Sequence, residues 1–367
     1  MPTGKDIYIS VIICTRNRGA SLRHTLASLL TPSNLAQNDW KLIVVDNGST
    51  DDTNRITSEY AAKCPDHVRV FVEPKAGKSI ALNTGIRAAR GEILAFTDDD
   101  AVCTAGYLAG VREVFEDPSI HVAAGATEVE LPSHRGLVRG GNWLELANGA
   151  LDCGDTVQEL SGFDLWGVNT LLRRGVVENV GGFSPDLGPG SRLGRGEDNE
   201  FSRRVRRAGY GLFYAPRAKV IHRPARPGTW RSWMRRQRET GIAKTRYVPV
   251  SEFNPAWNPA VPPWKYKAYY ARQTLLAVLH GTFLQIAGRS EEAMGVLFRA
   301  AQKAGYASEL LRLRGVSIEP PRAPRVLDAP RATGETMTEA QDISARDDSK
   351  PVRSEYAISS SHSEAGQ

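Results

Sequence analysis

The sequence predicts an α/β protein built on a mostly parallel central sheet with helices on its faces. Three observations predict it. The first hundred residues alternate apolar runs with helix-spaced segments. Two of those runs end in acidic, turn-rich stretches, Asp46-Asn47-Gly48-Ser49-Thr50-Asp51 and Asp98-Asp99-Asp100. The chain has 367 residues, 41% hydrophobic and 24% charged, which is ordinary for a globular protein and ample for a core. Collagen-like, mucin-like and wholly disordered classes are excluded.

The elements follow in order. Ile7–Cys14 is a β-branched apolar run, read as a buried strand. Arg18–Leu30 has helical spacing, with Leu22, Leu26, Leu29 and Leu30 on one side. Lys41–Val45 is a second strand, closed by the turn at Asp46. A helix at about 52–64, a strand at Val68–Val72, a helix at Ser79–Ala89 and a strand at Ile93–Phe96 complete a βαβαβαβ order. Ligands of such sheets bind beyond the carboxyl ends of the strands. Further on, the sequence predicts a helix at Gly106–Glu116, a strand at Val122–Val129, a long segment around Arg135–Gly154, a loop with many glycines at Gly181–Gly196 after Asn169–Arg174, and a helix at about 197–208. Short strands near Gly211–Tyr214 and Ala218–Ile221 and a basic helix at Thr229–Lys244 follow. Pro249–Pro263 reads as a linker and Lys265–Leu313 as two or three helices. From Pro320 the composition is that of a disordered tail. The expected domains are 1–244, a linker and helical extension at 245–315, and the tail at 316–367.

Charge is uneven. The net charge is +6, yet residues 316–367 hold 6 basic and 9 acidic side chains, leaving 41 basic against 32 acidic in the rest. Arg203–Arg246 alone carries 14 Lys or Arg and one acid, Glu239. This block is either a solvated basic face or the counterpart of an anion. The four cysteines lack C-x-x-C spacing, which argues against a zinc knuckle and suits a reducing compartment. Met1–Asp6 does not read as a signal peptide. The most apolar helical stretch, Thr274–Ala287, falls short of the roughly 18–20 residues that span a bilayer. A buried helix is expected there, ahead of one lying on a membrane surface.

Chemistry concentrates in three places. Asp98, Asp99 and Asp100 end an apolar strand. Asp98 and Asp100 would share a side if the strand continued. Packed carboxylates favour a hard cation such as Mg2+ or Mn2+. The alternative is an acidic helix cap. Asp46 ends another strand and is either a nucleobase acceptor or a turn former. Glu197 and Asp198 follow Gly194-Arg195-Gly196 and open a helix. They are either dipole-matched caps or a general base under a closing loop.

These pieces resemble the family 2 glycosyltransferases. The resemblance rests on Val11-Ile12-Ile13-Cys14-Thr15-Arg16-Asn17-Arg18, on Val44-Val45-Asp46-Asn47-Gly48-Ser49-Thr50-Asp51 and on Asn83-Thr84-Gly85-Ile86. It continues through Ala89-Arg90-Gly91-Glu92-Ile93-Leu94-Ala95-Phe96 with the Asp triplet, then Val180-Gly181-Gly182-Phe183 and Gly196-Glu197-Asp198. Their order over roughly residues 7–225 carries the signal.

The resemblance implies a GT-A fold and inverting, metal-dependent sugar transfer. The donor would be a UDP-, dTDP- or GDP-sugar, and the acceptor a hydroxyl of a glycan or lipid-linked molecule. It places Asp46 at the base, Asp98 near ribose and diphosphate, Asp100 on the Mg2+ or Mn2+ with Asp99 supporting, and Thr15 and Arg16 at the donor. Asp198 matches the base, and Glu197 would position it or the acceptor. Many members carry Arg where this chain has Leu82, and Lys78 or Lys75 is expected to supply that charge. His222 is either a further metal ligand or a hydrogen-bonded loop residue. Trp166 and Asn169 lie where the family lines its acceptor cleft, although Trp166 also suits a core. Trp230, with Trp233 among arginines, fits either an acceptor contact or an amphipathic helix. The Gln-x-x-Arg-Trp motif of processive synthases is missing at Arg236-Gln237-Arg238-Glu239-Thr240, so single transfers are expected.

Two rivals stand beside this reading. A sugar-nucleotide nucleotidyltransferase needs a Gly-rich, Lys-bearing loop after its first strand, which Thr15-Arg16-Asn17-Arg18-Gly19 matches poorly. A nucleic-acid binder would use the 203–246 block through salt-sensitive phosphate contacts. No nucleic acid is expected as partner. The expected location is cytoplasmic, with peripheral attachment at the inner face of a membrane left open.

Overall fold

The computed structural model describes residues 8–130, 149–161, 164, 165, 167–191, 193–224, 230–245, 248 and 263–312. Among them, four strands pair in parallel: β1 (Ile9–Thr15), β2 (Trp40–Asp46), β3 (Val68–Val72) and β4 (Ile93–Asp98). The sheet continues through β5 (Ala101–Cys103), β6 (Val122–Val129), β7 (Gln158–Glu159), β8 (Asn169–Arg173) and β9 (Phe213–His222). The order is β3-β2-β1-β4-β8-β6-β9-β5, with β7 on β9. Beyond β4 the pairing turns mixed, because β8 enters antiparallel to both β4 and β6.

Helices cover the sheet: α1 (Gly19–Leu29), the short α2 (Pro32–Leu35), α3 (Thr53–Lys63), α4 (Lys78–Ala88), α5 (Tyr107–Val114), α6 (Arg174–Val180) and α7 (Glu197–Arg207). One core layer gathers Val11, Ile13, Leu22, Leu26, Trp40 and Leu108. The other gathers Ile12, Val45, Ile86, Phe96, Leu172 and Phe201 on the opposite face. Alternate side chains of β1 point into different layers, as strand geometry requires. With both faces covered, these strands read as continuous apolar runs.

Past the sheet come α8 (Trp230–Lys244), α9 (Pro263–Ile286) and α10 (Ser290–Arg312). α10 packs against both α8 and α9. Two glycines let α8 and α10 touch backbone to backbone: a Cβ on Gly241 would strike the Gln302 carbonyl, and one on Gly305 the Arg238 carbonyl.

Several expectations change. The two short strands after residue 210 are one ten-residue strand, β9, whose partner β6 bears a register shift between Gly125 and Thr127. β5 follows the Asp triplet directly, so those acids do not cap a helix. β4 ends at Asp98, so Asp98 and Asp100 do not alternate along one strand. The Thr274–Ala287 segment is buried on one side only: Gly281 and Leu284 are covered, while Leu275, Leu276, Leu279, Phe283 and Ile286 are exposed. The linker at 249–262 and the tail at 316–367 lie outside the described residues, as does the segment 131–148. No described helix is long and apolar enough to cross a membrane.

Candidate active site

The parallel strands end together. Thr15 sits opposite Asp46 in the β1–β2 register, and Cys14 opposite Asp98 in the β1–β4 register. One edge of the sheet therefore presents Thr15, Asp46 and Asp98 side by side. Asp46 is buried and its Oδ1 accepts the Ser49 N–H at 2.9 Å, so it does form the turn that its residue type favours. Asn47 ties the next loop in place. Its Nδ2 donates to the carbonyls of Glu73 and Lys75, and its Oδ1 accepts the Gly77 N–H at 2.9 Å. Gly77 has φ +141°, a conformation that disfavours any side chain.

Lys78 opens α4, and its Nζ lies 2.5 Å from Asp98 Oδ1. Burial opposes its charge, but Asp98 and Glu197 outweigh that and hold the ammonium above its ordinary pKa. Asp100 is buried between Arg18, whose Nη1 reaches Oδ2 at 2.7 Å, and His222, whose Nε2 lies 3.2 Å from Oδ1. Burial would raise the Asp100 pKa, but the His222 hydrogen bond, aided by its charge and by Arg18, lowers it. Pairing of Ala101 with His222 in the β5–β9 ladder sets that geometry. Asp99 turns inward, and burial pushes its carboxyl up to about 7.

The Asp100 carboxylate and the His222 imidazole are hydrogen-bonded neighbours at 3.2 Å, and together they are a donor set that suits Mn2+. Among the described residues no group of three or more His, Cys, Asp or Glu forms a metal cage.

The second wall is the loop from Gly181 to Gly196. α4 grips it along one face: Ser79 Oγ donates to the Leu187 carbonyl at 2.7 Å, and the Lys78 N–H to Pro189. Asn83 Nδ2 donates to the Phe183 carbonyl and its Oδ1 accepts the Phe183 N–H, both at 2.8 Å. From the other side, Ala243 and Ile242 of α8 pack on Leu187 and Leu193. The loop delivers Gly196, at φ +91°, as the residue before α7.

Glu197 and Asp198 then begin α7. Burial, with Asp198 next to it, pushes Glu197 up to about 7. Burial also raises Asp198, although its carboxylate accepts the N–H groups of Asn199 and Gly167. Lys78 faces both acids, and a Cβ on Gly167 would lie 3.4 Å from its Nζ. Asp164 steadies this corner, bonding Asn199 Nδ2 at 3.0 Å and Arg206 at 2.5 Å.

The structure thus brings together Thr15, Asp46, Lys78, Asp98, Asp99, Asp100, His222, Glu197 and Asp198. Arg16 joins at the rim, its guanidinium beside Gly190. Asn169 has a different job from the acceptor contact expected. It is buried in the sheet, donating to the Ala126 and Ala218 carbonyls and accepting from the Tyr107 hydroxyl. Trp166 and the side chain of Trp230 lie outside what the structure describes. Arg18 and Asn83 were not assigned roles from sequence. Asn83 left a signal: an amide on an otherwise apolar helix face needs a buried partner. The Arg18 contact, across 82 residues, left none.

Part of the basic block pairs with carboxylates elsewhere in the chain. Arg204 meets Glu200 and three backbone carbonyls; Arg206 meets Asp164, Arg217 Glu113, Lys219 Glu128 and Arg223 Glu130.

Residues 10–181 match the family described as Glycosyl transferase family 2. Glycosyltransferase AglE of Haloferax volcanii is 27% identical over 221 residues, covering 60% of this chain and 68% of that protein. The uncharacterized glycosyltransferase YibD of Escherichia coli is 33% identical over 153 residues, covering 38% of this chain and 43% of that protein. Among solved structures, mannosyltransferase PcManGT from Pyrobaculum calidifontis, in complex with GDP-Man and Mn2+, superposes with a TM-score of 0.55 at 21% identity. The superposition covers 83% of this chain and 87% of that one, and it shows a shared fold.

Proposed function

Residues 10–181 belong to glycosyltransferase family 2 on a GT-A fold, and we propose that the chain transfers a sugar, with inversion, from a nucleotide-diphosphate donor to an acceptor hydroxyl. The observation that carries this reading is the Lys78 bridge. Lys78 pairs with Asp98 at the strand ends, and its Nζ lies beside Gly167, whose N–H binds the Asp198 carboxylate, so a donor-type half and a base-type half meet in one place.

In this mechanism Asp46 accepts an N–H of the nucleobase, beside Thr15 and Arg16. Asp98 and Lys78 flank the ribose and diphosphate. Asp100 and His222 would hold Mg2+ or Mn2+, with donor phosphates and water completing the shell. The ion, when bound, offsets the negative charge that grows on the leaving diphosphate. Asp198 takes the proton of the acceptor hydroxyl while that oxygen bonds to the anomeric carbon. The bond from that carbon to the diphosphate breaks, and its electrons leave on the diphosphate. Attack from the side opposite the leaving group gives inversion. A raised carboxyl pKa suits this proton transfer near neutral pH. Glu197, one residue earlier, orients the base or the acceptor. A glycan or lipid-linked molecule is the acceptor class, and Trp166 and Trp230 remain its proposed aromatic contacts. The domain spans 1–244, with 245–315 as its helical extension and 316–367 as a tail.

Nucleic-acid binding loses ground because Arg206, Arg217, Lys219 and Arg223 of the basic block already pair with Asp164, Glu113, Glu128 and Glu130. The test is a donor screen: thermal shift and slow hydrolysis with UDP-, dTDP- and GDP-sugars, each with and without Mn2+ or Mg2+. One nucleotide class should bind and turn over with metal only. Failure of all three with either ion would overturn the proposal.

A further inference from the structure

Helix α9 is apolar on two opposite sides. Ala277, Gly281 and Leu284 form its covered stripe, and Gly281 abuts Leu297 of α10, where a Cβ would come within 2.7 Å. The other side is open. Leu275 is 60% exposed, Leu276 47%, Leu279 58%, Phe283 65% and Ile286 82%. A helix that is hydrophobic all round normally has a second covering layer.

Three features identify the cover. First, Leu276, Leu279, Phe283 and Ile286 recur at spacings of three and four, the seam spacing of paired helices. Second, residues 273–288 contain no Asp, Glu, Lys or Arg. The cations of α9, Lys265, Lys267 and Arg272, all lie in its first half, with Lys265 and Arg272 two heptads and one heptad before Leu279. A helix lying in a lipid headgroup layer is cationic along its polar face, whereas the flanks beside these five side chains carry His280, Thr282 and Gln285. Third, the five side chains present on the order of 600 Å² of apolar surface. That is the top of the roughly 300–600 Å² a monomer leaves uncovered, and it approaches the about 800 Å² per partner of a standard interface.

We propose that this face is a dimer interface, pairing α9 with α9 of a second copy of the chain. A two-fold axis at Leu279 makes the contact self-complementary. Antiparallel pairing sets Leu279 on Leu279 and Leu275 against Phe283. It also keeps the two Arg272 side chains apart, whereas parallel pairing would set them together.

Sedimentation equilibrium of the full chain at micromolar concentration tests this. Twice the chain mass is expected. The double variant Leu279→Glu with Phe283→Glu should give the single-chain mass, with unchanged helical circular dichroism. Leu279→Cys should cross-link into a disulfide dimer on mild oxidation, above the level of the wild-type chain with its own four cysteines. A wild-type chain that stays monomeric overturns the proposal, as does a dimer that survives both glutamates. A monomer that floats with phosphatidylglycerol–phosphatidylcholine vesicles, and loses this in the double variant, would also overturn it and assign the face to lipid.

Discussion

Lys78 Nζ and Asp98 Oδ1 lie 2.5 Å apart at the point where the sheet edge meets the loop that carries Glu197 and Asp198. Without the ammonium, three carboxylates of that corner would face one another uncompensated. A hydrogen bond to a charged group is worth about 1.5–3 kcal/mol. Lys78→Met should therefore weaken donor binding about ten- to a hundredfold in a titration with the donor found by screening. Lys78→Arg should recover part of it. Unchanged affinity in Lys78→Met would remove Lys78 from the donor site.

Asn83 is a structural clamp on the same loop. Asn83→Ala leaves the Phe183 N–H and carbonyl unpaired in a buried place. The expected cost is about 1–3 kcal/mol in urea unfolding. Since the loop also sets the position of Asp198, kcat should fall more than the donor KM rises. A variant with wild-type stability and kcat would show that the clamp is dispensable.

Glu197 carries a stability signature in pH. Its folded pKa, pushed up to about 7, exceeds the ordinary 4.5, so between these values the folded state holds more protons than the unfolded one. Its contribution is therefore most favourable below about pH 4.5 and is lost as pH rises through 7. Glu197→Gln removes the buried charge. Its melting temperature should gain on wild type by a few degrees between pH 5 and pH 8. A difference that stays flat across this range would contradict the burial of a shifted carboxyl.

His222 distinguishes a metal ligand from a hydrogen-bonding neighbour of Asp100. As a ligand, its loss in His222→Ala should weaken Mn2+ titration at least about tenfold and hurt Mn2+-supported turnover more than Mg2+-supported turnover. Identical metal titrations would leave His222 as a positioning residue for Asp100 alone.

Much of this was legible in the sequence, for reasons that can be named. β1, β2 and β4 are continuous apolar runs because both sheet faces are covered, so Ile9–Thr15, Trp40–Asp46 and Ile93–Asp98 stand out within one or two residues. The acids at their ends fall together because parallel strands end at one edge. What escaped depends on long-range contact. Nothing near Arg18 indicates Asp100, and nothing near Asn169 indicates that two carbonyls and Tyr107 surround its amide. β9 was divided because Pro216 and the register shift in its partner interrupt the alternation. The apolar run in α9 suggests a buried helix because composition does not reveal which face lacks a neighbour.

The most direct test of the mechanism is the turnover of Asp198→Asn. The substitution keeps the shape of the side chain and removes its ability to take a proton. General-base assistance accounts for about a hundred- to ten-thousandfold in rate. The mechanism predicts a kcat loss of that size, measured as transfer to acceptor or as slow transfer to water, with donor affinity nearly unchanged. A variant that turns over at a near-normal rate would contradict it.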